Sequence, residues 1–221
     1  MITSRDNERL KLVRKLHERR WRDKLGLFFV EGEDAVGSAT VEPVDVLRAG
    51  DDVEPKLLAE VATAGHPPRV IGVYRRADLP AWQECDATLA LWRLSDPGNV
   101  GTLIRTADAF GAAVALSEGC ADPTSPKALR ASAGSIWRVP LGVWEQIGGR
   151  RVALEAHGGA PLPSIDLSGR VTFLLGAERE GLPQTVARDV DATIPIAGAE
   201  SLNVAVSGAI ALYEWRRQRA S

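Results

Sequence analysis

Three stretches of the chain bring polar side chains and glycines together in a way that suits ligand chemistry: 96–111 (DPGNVGTLIRTADAFG), 173–183 (FLLGAEREGLP) and 194–205 (IPIAGAESLNVA). Asn99, Ser201 and Asn203 offer neutral donors and acceptors, Glu178 a carboxylate, and Arg105 a permanent cation. Each stretch sits at a strand end, where α/β folds place their ligands. Taken singly, each also has a structural explanation. Pro97-Gly98 makes a turn, Asn99 could cap the next helix, and Gly111 suits that helix's end. Gly176 permits a turn after an apolar strand, Glu178 can be a solvated loop acid, and Ser201 can cap the last helix. Asn203 resists such a reading, because Asn is a poor residue for a first helical turn in an apolar stretch.

Other chemistries lack their residues. His17, His66 and His157 lie outside the three stretches and read as surface or structural groups. Cys85 and Cys120 cannot form a disulfide framework and are expected to be reduced, and no Cys/His cluster has metal-ligand spacing, so no metal is expected. No Gly-x-Gly-x-x-Gly follows a strand, which disfavours a dinucleotide-dependent oxidoreductase.

The elements that must position these groups alternate between helix and strand. After Thr3 and Ser4 as candidate caps, Leu10, Val13, Leu16 and Arg20 predict an amphipathic helix over 5–22 with a basic outer face. Strands follow at 25–30, 44–47 and 69–74, with helices at 33–39 and 55–64. Both periodicities lapse over 75–86, so a boundary is placed near residue 85, dividing the chain into 1–85 and 86–221. Beyond it, strand-like runs at 87–92, 112–116, 152–155, 171–175 and 192–196 alternate with helical segments, the pattern of a mainly parallel sheet. The last helix, 201–219, is so apolar that burial on several sides is expected, with a subunit interface covering one of them.

The 221 residues carry a formal charge of -2, which by itself argues against a nucleic-acid partner. That average hides a basic start: Arg5, Arg9, Lys11, Arg14, Lys15, Arg19, Arg20, Arg22 and Lys24 face only Asp6, Glu8, Glu18 and Asp23 before residue 26. From Glu31 to Glu60 the balance reverses. The N-terminus lacks a signal-like apolar stretch and no run is long enough to span a membrane, so the chain is read as cytoplasmic.

Read together, the three stretches resemble, in order and separation, the signature motifs of SpoU-like (TrmH-like) RNA 2'-O-methyltransferases of the SPOUT class. Ile2-Thr3-Ser4, Asn7, Lys11, Leu16 and Phe28-Phe29-Val30-Glu31-Gly32 are similar to the small α/β substrate-binding domain that precedes that catalytic domain. Residues 125–134 (SPKALRASAG) are similar to a family segment where basic residues meet RNA. The loop between Gly198 and Ser201-Leu202-Asn203 is one residue shorter than the resemblance predicts.

The resemblance implies an RNA-binding domain over 1–85 and an α/β-knot methyltransferase domain over 86–221, its mainly parallel sheet ending in a trefoil knot. It implies S-adenosylmethionine as cofactor, ribosomal or transfer RNA as partner, and a homodimer through the knotted domain. Asn99, Arg105, Glu178, Ser201 and Asn203 would form the catalytic set, with Arg105 as a fixed cation and Glu178 paired with it or orienting water. Leu175, Gly176, Gly181, Ile194, Ile196, Gly198 and Leu202 would hold the cofactor, and Lys11, Arg14, Lys15, Lys127 and Arg130 the RNA. Two other readings stay open: a non-catalytic RNA-binding or ribosome-assembly protein of the same fold, and a SPOUT enzyme that methylates a base.

Overall fold

The computed structural model describes residues 1–63 and 65–220. Its first helix, α1 (Glu8–Leu16), is capped by Asn7, whose side chain accepts from the Arg9 N–H, and not by Thr3 or Ser4. Leu10, Val13 and Leu16 face inward, as their spacing requires. The helix predicted over 5–22 is in fact broken. Glu18 is extended, and α2 (Arg19–Leu25) starts afresh and ends at Gly26 in the left-handed region. At the break the Arg22 guanidinium donates to the Leu16 and His17 carbonyls, both at 2.8 Å. His17 itself lies against Phe29 and bonds the Val61 carbonyl.

Strand β1 (Leu27–Glu31), helix α3 (Glu33–Gly37), strand β2 (Asp45–Arg48), helix α4 (Pro55–Val61) and strand β3 (Val70–Arg75) complete a small antiparallel sheet of order β1-β3-β2. The predicted helix 55–64 ends at Val61, and Ala64 lies outside the described residues. Alternation along β1 divides its side chains between two cores. Phe29 joins Leu10, Leu58 and Ile71 beneath the helices, whereas Phe28 and Val30 face the rest of the chain. There Phe28 and Tyr74 meet the Trp137 ring, with centroids 5.6 and 4.6 Å away.

The larger sheet is built from β4 (Ala87–Leu91), β5 (Ala113–Leu116), β6 (Leu141–Val143), β7 (Arg150–Glu155), β8 (Ala160–Pro161), β9 (Val171–Leu175) and β10 (Val190–Thr193). Its order is β6-β5-β4-β9-β7-β10-β8, and its registered pairs are parallel. The central strands β4 and β9 are buried along their whole length, as a parallel sheet covered on both faces demands. The sequence pattern did not reveal the short edge strands β6 and β8. The strand expected over 192–196 is displaced to β10, so Ile194 and Ile196 leave the sheet.

Three helices flank this sheet: α5 (Pro97–Phe110), α6 (Pro126–Ser132) and α7 (Val204–Arg219). Gly101 of α5 lies against α6 so closely that a Cβ there would collide with the Ala128 carbonyl. A Cβ on Gly208 of α7 would lie 2.4 Å from the end of the Leu103 side chain and 3.2 Å from that of Leu175. Helix α7 starts at Val204, three residues later than predicted, and in the single chain its outer face leaves Val206 46% and Tyr213 61% exposed. Among the described residues no helix is long and apolar enough to cross a membrane.

A buried ionic cluster joins the two sheets. Arg22 donates to Asp122 at 2.7 Å, with only 3% and 6% of the two side chains exposed. Arg76 reaches the same oxygen at 2.6 Å, and Thr124 bonds the other through its amide and hydroxyl. Burial alone would raise the Asp122 pKa, but Thr124, Arg76 and Arg22 together bring it below the ordinary carboxylate range. Removing Arg22 takes away one of the two cations that hold the buried Asp122 and leaves a void where its own side chain was packed. Arg22→Ala should therefore lower unfolding free energy by about 3–5 kcal/mol, measured by urea denaturation; a loss below about 1 kcal/mol would show that the cluster does not hold the sheets together.

Candidate active site

The C-terminal ends of β7, β9 and β10 open onto a cavity of about 430 Å³, a size suited to a small-molecule ligand. Parallel strands deliver their outgoing loops to one edge, so segments distant in sequence meet there. From β9 the chain passes through Leu175 and Gly176 into a tight loop closed by the Ala177 and Gly181 backbones, which bond each other in both directions. Gly181 has φ +65°, and a Cβ on Gly176 would lie 2.5 Å from the Leu182 nitrogen. Glycine is required at both positions, by conformation at one and by space at the other. From β10, Ile194 and Ile196 bring apolar surface to the opposite wall, and Leu202 completes it.

Asn203 enters this cavity as the N-cap of α7. Its Oδ1 accepts from the Ala205 and Val206 amides at 2.9 and 3.3 Å, which explains why Asn stands where helical propensity disfavours it. Ser201, the cap expected from sequence, lines the cavity instead. The Asn203 amide donates to Asn99 Oδ1 at 3.1 Å, and the Asn99 amide donates in turn to Glu178 Oε1 at 3.1 Å. Asn99 does not cap α5. That role belongs to Asp96, which accepts from the Gly98 amide at 2.6 Å and pairs with Lys127 at 3.0 Å. One chain of hydrogen bonds therefore links the three sequence stretches.

Glu178 is ionised in this setting. Burial pushes its pKa up, but donation from its own amide, Asn99, and the Asp96 and Ser95 amides outweighs that and holds it below the ordinary glutamate value. Asp96 is likewise held low, first by Lys127 and then by the Gly98 amide. Arg105 stands on the exposed face of α5 and has no hydrogen-bond or ion-pair partner among the described residues, so the expected pairing with Glu178 is not present. The carboxylate is held by Asn99 instead.

Of the residues singled out for the cofactor, Leu175, Gly176, Gly181, Ile194, Ile196 and Leu202 line the cavity. Gly198 does not; it is exposed, with φ +83°. Among the basic residues singled out for RNA, Lys11 pairs with Glu8 at 3.1 Å, Arg14 donates to the Arg5 carbonyl, and Lys15 is exposed. Lys127 reaches the site's rim through Asp96, whereas Arg130 is tied back to Glu31 and Thr63 across the two sheets. Sequence reasoning missed the end of β7. Leu154, Glu155, Ala156 and His157 line the cavity, as do Arg179 and Glu200. The only available signal was that β7 is a parallel strand; its place beside β9 is a fact of tertiary structure.

Comparison with known proteins agrees with this geometry. The SpoU rRNA Methylase family matches residues 86–213. The 23S rRNA (guanosine(2553)-2'-O)-methyltransferase RlmP of Bacillus subtilis (strain 168) is 32% identical over 97% of this chain and 98% of its own. An AdoMet-bound rRNA methyltransferase from Sinorhizobium meliloti superposes with a TM-score of 0.87 at 31% identity, covering 100% of this chain and 98% of that one. The SpoU methyltransferase AviRb from Streptomyces viridochromogenes, in complex with AdoMet, gives 0.85 at 27% identity over 97% and 99%. With its mainly parallel α/β sheet, its cavity at the strand ends and a match that spans the whole length, the chain belongs to the SpoU rRNA methylase family.

Proposed function

We propose that this protein transfers a methyl group from S-adenosylmethionine to a ribose 2'-hydroxyl of ribosomal RNA. The observation that carries this reading is the Asn203–Asn99–Glu178 hydrogen-bond chain, which gathers three distant segments at the rim of one cavity. The residues present fit the cofactor. Leu175, Ile194, Ile196 and Leu202 offer apolar walls for an adenine, and the close approach of Gly176 to Gly181 exposes backbone where a side chain would fill the space. S-adenosylmethionine supplies a methyl group made electrophilic by a positive sulfonium.

The chain's own groups account for the rest. Asn99, Ser201 and Asn203 are neutral and position polar atoms without repelling a cation, while the ionised Glu178 favours one. Arg105, unneutralised by any carboxylate, is the cation that holds a phosphate and stabilises the developing alkoxide. Its guanidinium stays protonated, so the hydroxyl proton leaves through a phosphate oxygen or water. Residues 1–85 serve as the RNA-binding domain and 86–221 as the catalytic domain, whose C-terminal part is knotted. Lys11, Arg14 and Lys15 of α1 attract the RNA backbone, joined by Lys127 and Arg130 of α6. A second copy of the chain covers Val206 and Tyr213, which lie seven residues apart on one face of α7. The enzyme works in the cytoplasm.

Mapping of 2'-O-methylated positions in ribosomal RNA, with and without the protein, tests the reading directly; an unchanged map would reject it. Arg105→Ala should lower kcat by about 100- to 1000-fold without changing the melting temperature. Asn203→Ser keeps a capping oxygen but loses the amide NH2 that reaches Asn99, so it should remain folded and lose methylation. Near-normal turnover of either variant would remove that residue from the catalytic set. For Glu178 the sign follows from its lowered pKa: its bonds stabilise the fold fully above the unfolded glutamate pKa, and that contribution is lost as pH falls through the folded value. Stability of Glu178→Gln should therefore decline less steeply with acid than that of the wild type, and identical slopes would show that the carboxylate is not held.

A further inference from the structure

Trp21 differs from the other tryptophans of the chain. Trp137 and Trp215 are buried in the main core, and Trp82, Trp92 and Trp144 pack against a smaller apolar cluster at the sheet. Among the described residues Trp21 alone of the tryptophans joins no apolar cluster, and its side chain is only half-buried. Three cations surround it instead. The Lys15 ammonium on α1 lies 5.5 Å from the ring centroid, and the Arg20 guanidinium and Lys24 ammonium on α2 lie 5.7 and 5.2 Å away.

Cation–π contacts at a surface are weak, and like charges gathered around one ring repel each other. Carboxylates do little to relieve this. Arg20 pairs with Glu18 at 2.7 Å, but Lys15 and Lys24 have no ion-pair partner among the described residues. An aromatic face covered only by exposed, mobile-ended cations matches an unpaired nucleotide: the ammonium groups swing out to the flanking phosphates and the base stacks on the indole in their place.

The position of α2 agrees. Arg19 donates to the Cys120 carbonyl at 3.2 Å and Arg22 to Asp122 at 2.7 Å, and both acceptors belong to the loop that leaves β5. Because the strands are parallel, that loop opens on the same sheet edge as the loop after β9. Only β4 lies between β5 and β9, which places the two loops about 10 Å apart.

We infer that Trp21, with Lys15, Arg20 and Lys24, is a stacking site for an unpaired nucleotide of the RNA, on the cavity's side of the sheet but outside the cavity. The inference rests on the RNA-directed reading above and assigns it a contact with a base as well as with the backbone. The test uses the full chain, a fluorescein-labelled oligo(U) RNA, and steady-state methylation of ribosomal RNA. Trp21→Ala should weaken oligo(U) binding about tenfold and raise the KM for RNA with little change in kcat. Trp21→Phe, which keeps an aromatic face, should retain most of the affinity. The Lys15→Ala/Lys24→Ala double variant should flatten the salt dependence of binding. Wild-type affinity in a folded Trp21→Ala protein, equal losses in the Phe and Ala variants, or no oligo(U) binding by the wild type would each overturn the inference. Normal oligo(U) binding without methyl transfer would leave this site standing and reject the proposed reaction.

Discussion

Helix α5 can lie where it does only because Gly101 has no side chain. A single methyl group there would meet the Ala128 carbonyl, and α6 would have to move away. On its other side α5 meets α7, whose Gly208 allows a similar approach over Leu103 and Leu175. Interiors packed to crystal-like density have no slack to absorb such a shift. The height of α5 over the sheet is thereby fixed, and with it Asp96 at the helix start, Asn99 in the first turn and Arg105 two turns further on. Asn203 depends on the same contact, since it caps α7 and bonds Asn99 at once. Helix packing and site geometry are one arrangement.

The electrostatics follow a division of labour. Carboxylates that hold the architecture are paired or bonded and kept ionised: Asp122 between Arg22 and Arg76, Asp96 beneath Lys127, and Asp108 against Arg138. Internal pairing also takes up cations that give the N-terminal stretch its basic look. Arg9 is engaged with Asp45, and Arg22 is buried and serves as a joint between sheets. Within that stretch Lys15 and Lys24 around Trp21 have no ion-pair partner among the described residues, and on α5 the exposed Arg105 has none either. A count of charges overstates the binding surface, because it cannot separate cations already satisfied from cations awaiting a partner.

The departures of the structure from the sequence expectations each have a physical cause. The helix expected over 5–22 had unbroken local support, and it breaks because Arg22 folds back onto its carbonyls while reaching for Asp122, a hundred residues away. Asn203 looked out of place as a helical residue, yet it is a cap, and the helix begins one residue later. Of the two expectations for Glu178, pairing with Arg105 or orienting water, the pairing is absent and the Asn99 amide holds the carboxylate. For the helix and for Glu178 a contact from a distant part of the chain decided the matter, whereas for Asn203 a local cap did.

The amino-acid order alone was enough for the class of fold, the succession of its main strands and helices, and half of the residues at the cavity, because hydrophobic periodicity and glycines at strand ends are local properties written into consecutive positions. It also carried the family resemblance, since the three motifs keep their order and spacing. Long-range packing set β9 between β4 and β7, brought Leu154 and His157 into the same cavity as Leu202, and left Gly198 outside it. It likewise decided which cations are spent on internal pairs. Strand order and charge pairing are set by contacts between residues far apart in the chain, and no local pattern records which distant partner will arrive.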